Sequence, residues 1–144
     1  MPWNVDGPLR LLEGLSRRIS NATPAMERSR DIAAKAIEEN FDAESAAGEA
    51  WEPLADATVE DRAAKGFEPG PILDRTGDLR RAATAHQAVG DDFAEVGLEE
   101  GHPYGHFHVS SRARTRIPLR DFLAVSEAKR DEIERAIVEY LEDE

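Results

Sequence analysis

Residues 79 to 98 read Leu79-Arg80-Arg81-Ala82-Ala83-Thr84-Ala85-His86-Gln87-Ala88-Val89-Gly90-Asp91-Asp92-Phe93-Ala94-Glu95-Val96-Gly97-Leu98. Leu79 to Val89 alternates weakly, Gly90-Asp91-Asp92 offers a turn, and Ala94, Val96 and Leu98 then alternate with Phe93, Glu95 and Gly97. A period of two on either side of a turn is the pattern of a β-hairpin. A further extended stretch is expected at Ser111 to Ile117.

Outward from the hairpin the period changes to that of helices. Leu9, Leu12, Leu15 and Ile19 recur at spacings of three and four over residues 8–20, with Leu11 broadening the stripe, Pro8 in the first turn and Asn21 placed to close the end. A second helix is expected from Thr23 to about Asn40, with Thr23 as N-cap, Pro24 at the first helical position, and Met26, Ala33, Ile37 and Phe41 on its buried face. Ser126 to Leu141 reads as a helix capped by Ser126, with Ile133, Ile137, Tyr140 and Leu141 on one side. From Asp42 to Asp78 alanine, glycine and proline break the pattern, apart from a short helix at Thr58 to Lys65 stopped by Gly66. The fold class read from this order is α+β. N-terminal helices (1–41) and a C-terminal helix (118–144) pack on a small antiparallel β-sheet (79–117), with a long loop region (42–78) between them, in a single domain.

Composition narrows the function. The 144 residues include no cysteine, so disulfides, thiolate metal sites and cysteine nucleophiles are excluded. The net charge of −12 and an aromatic content of 6% argue against a general nucleic-acid binder, which needs positive surface and stacking rings. No apolar run approaches the roughly 20 residues of a membrane span, and the opening residues lack the order of a signal peptide, so the chain reads as soluble and intracellular. Basic residues are skewed to fifteen arginines against three lysines. Arginine makes forked pairs with carboxylates, so the skew suits contacts between subunits, with genomic base composition as the other explanation.

The search for chemistry is sparse. His102, His106 and His108 cluster in His102-Pro103-Tyr104-Gly105-His106-Phe107-His108, but Pro103 and Gly105 interrupt the helix on which zinc ligands usually converge. No metal site and no cofactor are assigned, and a small His-dependent metal hydrolase is kept as an alternative. Neighbouring acids such as Glu38-Glu39, Asp91-Asp92 and Glu99-Glu100 lie in polar settings, and the serines lack a nucleophile-elbow pattern, so no catalytic residue is assigned. One charge pattern is more specific. Arg112, Arg114 and Arg116 recur at spacing two, which puts them on one face of a strand. The last eighteen residues hold eight acids, Glu134 and Glu139 among them, as a candidate opposite patch.

Four landmarks occur in order: Trp51-Glu52-Pro53-Leu54 with Thr58 and Arg62; Pro71-Ile72-Leu73-Asp74-Arg75-Thr76-Gly77-Asp78-Leu79-Arg80; Tyr104-Gly105-His106-Phe107-His108; and Ile117-Pro118-Leu119-Arg120-Asp121-Phe122-Leu123 leading into the last helix. Together they resemble the phage virion morphogenesis family, the tail completion proteins of Mu-like tailed phages. Gly105 departs from that pattern where alanine is usual, and Asp121 where proline is common. Trp51 and Leu54 are expected to anchor their loop to the core or to a neighbouring copy, Gly77 to permit a positive-φ turn before the first strand, and Pro118 to let Phe122 and Leu123 enter the core while Arg120 stays available for a carboxylate.

The resemblance implies a structural virion protein at the head–tail junction or head-proximal tail end, assembled in the host cytoplasm, which completes the tail and lets it join a head. Its partners would be further copies of itself in a ring, expected to be a hexamer, and other tail or neck proteins. DNA would pass through without being specifically bound, past an acidic lumen. Trp51, Leu54, Arg112, Arg114, Arg116, Arg120, Glu134 and Glu139 are the candidate subunit-interface residues. A monomeric acidic adaptor is a second alternative.

Overall fold

The computed structural model describes residues 5–109 and 117–143. Its elements in chain order are α1 (Asp6–Ser20), α2 (Thr23–Ala43), β1 (Ser45–Ala46), β2 (Glu49–Ala50), α3 (Asp56–Ala64), α4 (Asp78–Ala82), β3 (His86–Val89), β4 (Ala94–Gly97), α5 (His106–Val109) and α6 (Glu127–Glu142). The class is α+β, with two small antiparallel hairpins instead of one sheet among the described residues. In the first, Ser45 pairs with Ala50. In the second, His86 pairs with Gly97 and Val89 with Ala94.

α2 is the centre of the molecule, meeting α6, β4, β3 and β1. It starts one turn before Met26 with proline in its first turn, as expected. Thr23 is not its N-cap, however. Ala22 holds that position, and the Thr23 hydroxyl donates to Asn21 Oδ1 (2.9 Å) instead of capping a backbone N–H. The helix runs on to Ala43 and ends at Glu44 in a left-handed conformation (φ 49°). α6 starts on Ser126, whose hydroxyl accepts from Lys129 N (3.2 Å), the N-cap that its sequence announces.

Ile37 and Phe41 of α2 carry the core with Trp51, Leu79, Ala83 and Phe122. The Phe41 ring is the hub. Trp51 meets it edge-on (5.6 Å, 87°) and Phe122 lies tilted against it (5.4 Å, 36°). Both arrangements suit the ring quadrupoles.

The strand expected from Leu79 begins only at His86. Leu79 to Ala82 is instead the helical turn α4, because Leu79, Ala82 and Ala83 are the buried positions and spacings of three and four close only on a helix. Gly77 does take a positive φ (83°), but as the N-cap of that helix and not as the turn into a strand. The region 42–78 also holds more structure than a loop: the β1–β2 hairpin, and α3, which begins two residues ahead of Thr58. The stretch Ser111–Ile117 lies outside the described residues apart from Ile117, which is exposed.

Candidate functional site

Each landmark segment places at least one residue inside the molecule. Trp51 is only 5% exposed and sits in the core, while Leu54 is half-buried beside it in sequence. Of the two anchors expected for this loop, Trp51 takes the core.

Arg120 completes the fastening. It is buried, its Nε donates to Glu52 O (2.8 Å) and its Nη2 to Pro53 O (3.0 Å). Its own backbone N–H donates to His108 O (3.0 Å). The expectation that Arg120 stays available for a carboxylate is therefore corrected: it commits its donors to backbone carbonyls that Pro53 and its neighbours leave without a ladder partner. Burial pulls its pKa below the ordinary arginine range, with the Glu52 charge opposing and the Arg62 charge adding.

Arg62 works the same way on the next landmark. It is buried within α3, and its Nη1 donates to Pro71 O (2.8 Å). Arg80 ties the second landmark to α2 through Asp42 (2.6 Å) and Glu38 Oε2 (3.0 Å), its guanidinium lying 5.7 Å from the Phe41 ring centre. The hydrogen bond it donates to Asp42 is the main reason its pKa lies above the usual arginine value, with Glu38 adding and desolvation opposing. Gly105 is buried, and a Cβ there would stand 2.8–2.9 Å from methyl groups of Leu98 and Leu79. Glycine at this landmark lets the turn into α5 press on the core.

One organising residue was missed in the sequence. Asn40 is buried on α2, donates through Nδ2 to Phe122 O (3.0 Å) and Ala124 O (2.8 Å), and accepts from Ala47 N (3.1 Å). It joins the end of α2 and the β1–β2 turn to the distant segment at Phe122 and Ala124. The available sign was a polar residue interrupting the stripe Ala33, Ile37, Phe41 one turn from its end.

The outer candidates are placed differently. Glu134 and Glu139 are both exposed on α6, and Glu139 pairs with Arg28 of α2 (3.3 Å) with both side chains 56% exposed. Such a pair is screened and weak, so it can be exchanged for another partner. Arg112, Arg114 and Arg116 lie outside the described residues.

The histidines do different jobs. His86 Nε2 pairs with Glu95 Oε2 across the hairpin (3.0 Å). His102 Nδ1 accepts from Gly105 N (2.9 Å) and its ring stands edge-on to Tyr104. Among the described residues no three His, Asp or Glu side chains are grouped to hold a metal ion. Nor, among those residues, is any helix long and apolar enough to cross a membrane.

Against this geometry, a model of the phage virion morphogenesis family matches residues 8–142. The chain belongs to the phage virion morphogenesis family. Comparison with curated proteins and with solved structures gives no match. Membership makes this a phage morphogenesis protein, and it gives the four landmarks a common meaning in this fold. Three of them supply fastening side chains: Arg80 ties to α2, Trp51, Leu79 and Phe122 pack in the core around Phe41, and Arg62 and Arg120 hold the carbonyls of Pro71 and of Glu52 and Pro53.

Proposed function

We propose that this morphogenesis protein is a structural part of the tailed-phage virion, acting at the head–tail junction or the head-proximal tail end to complete the tail and allow a head to join. The match to the family over residues 8–142 carries this reading. The interior agrees with it. Its buried arginines hold backbone carbonyls, which is a scaffolding task.

The copies assemble as a ring, a hexamer in this reading, alongside other tail or neck proteins. A ring needs two unlike patches that meet on neighbouring copies. Arg112, Arg114 and Arg116 on one copy and Glu134 and Glu139 on the next are one such pair. Exchanging Arg114 and Arg116 for glutamate is expected to abolish the ring in light scattering, and an unchanged assembly would reject this pairing. The net charge of −12 suits a lumen that repels phosphate and lets DNA slide through unbound.

The function is tested by electron microscopy of particles made without the chain. Separate heads and unfinished tails support the reading, and normal joined particles refute it.

A further inference from the structure

α1 carries most of its apolar side chains on the outside, with Leu15 of the stripe half-buried. Val5, Leu9, Leu12 and Ile19 fall on one side of a helix, Leu11 widens that side, and each is at least half exposed. The contacts that hold α1 to the body use other groups. Arg18 Nε donates to Leu141 O (2.9 Å), and the Tyr140 hydroxyl donates to Asn21 O just past the helix end (2.6 Å). The expected amphipathic stripe is present, but among the described residues Leu9, Leu12 and Ile19 of it stay exposed.

A matching surface lies elsewhere on the molecule. An open groove of about 400 Å³ runs between α2, the β3–β4 hairpin and α6. Met26, Ala33, Phe93, Val96, Ile133 and Ile137 give it apolar walls, and Phe93 is 45% exposed there. Asp92 and Glu95 line it with Arg30, whose charge is held by Asp31 (3.0 Å), and Asp91 is next to Asp92 on the turn.

Charge favours the pairing of these two surfaces. α1 holds Arg10, Arg17 and Arg18 against Asp6 and Glu13, a net positive segment in a chain of net charge −12. Arg10 and Arg17 are exposed, and so are Asp91 and Asp92. Arginine stems are long enough to reach past the edge of a helix seated on its apolar side.

We propose that the apolar side of α1 docks into the α2–hairpin–α6 groove of a second copy of this chain, with Arg10 and Arg17 set against Asp91 and Asp92. This rests on the reading of the chain as a self-assembling structural part. The side of a helix and a groove at another place are unlike patches, so the contact is heterologous and passes from copy to copy until the ring closes. It also covers two apolar surfaces at once, which is what exposed patches of this kind call for.

The absence of cysteine allows a direct test. Leu12→Cys protein is mixed with Ala33→Cys protein under mild oxidation, with Glu60→Cys protein on α3 as the control. Docking holds the first pair together and should form its mixed disulfide about tenfold faster than the control, because bound partners have a raised effective concentration. Asp91→Arg with Asp92→Arg in the groove copy should remove that advantage, and Arg10→Glu with Arg17→Glu in the α1 copy should restore it.

Equal rates for the two pairs overturn the proposal. So does a preferred Leu12→Cys homodimer, which puts α1 against α1. Binding of the wild-type chain to anionic phospholipid vesicles, with the groove pair at the control rate, also overturns it. If the groove pair fails while particles lacking the chain still show unjoined heads, the docking is wrong and the virion role stands. If those particles are normal, the virion role itself is wrong.

Discussion

Replacing Arg120 by methionine keeps the length of the side chain and removes its donors. Two part-buried carbonyls, Glu52 O and Pro53 O, then lose the partners that now lie at 2.8 and 3.0 Å. Hydrogen bonds from a charged group are worth roughly 1.5–3 kcal/mol each, so the gross loss is about 3–6 kcal/mol. Removing the guanidinium also relieves its desolvation, the same effect that lowers its pKa, and this offsets part of the loss. A net destabilisation of about 3 kcal/mol remains after that offset. With a urea dependence of about 2 kcal/mol per molar for a chain of this size, the unfolding midpoint should fall by ~1.5 M. Far-UV circular dichroism across a urea series measures it. If Arg120 were chiefly an interface residue, the monomer would unfold at nearly the wild-type midpoint while assembly failed. That result would rule out Arg120 as an internal strap.

Three further outcomes follow from the same geometry. Asn40→Ala removes three hydrogen bonds around a buried amide and should cost about 2–3 kcal/mol, with faster hydrogen exchange at the Ala47 amide as its local mark. Gly105→Ala, although alanine is the commoner residue in the resembling pattern, should lower stability by about 1–2 kcal/mol in the same urea assay, since its methyl presses on Leu98 and Leu79. Arg28→Ala breaks an exposed pair with Glu139 and should change stability by less than about 0.5 kcal/mol, and a larger loss would show that pair to be structural.

The parts of the fold legible in the sequence are those in which one local rule decides. α6 has a serine cap and an uninterrupted stripe, and the hairpin from His86 to Gly97 has alternation around a turn. Leu79 to Ala83 resists such a reading because a five-residue stretch fits both periods. The choice falls to tertiary packing, which buries Leu79 and Ala83 against Phe41 and its neighbours. The loop region conceals its order for a related reason. Trp51, Arg62 and Arg120 organise it, the two arginines through carbonyl groups outside their own elements, and no spacing rule announces a bond between Arg120 and Glu52. Arg120 is recognisable as a landmark, but its role is not, because the choice between carboxylate and carbonyl depends on what the fold brings near. α1 is the reverse case. Its stripe is plain in the sequence, yet only the structure shows that Leu9, Leu12 and Ile19 stay exposed among the described residues.

The decisive measurement is a cryo-electron microscopy reconstruction of the junction between head and tail in particles carrying this chain. A closed ring of this fold is expected at that junction, with Trp51, Arg120 and Phe122 inside each copy and α1 lying between neighbouring copies. Density that puts the chain in the capsid shell, or finds no copy of it in the finished particle, would contradict a role in joining head to tail.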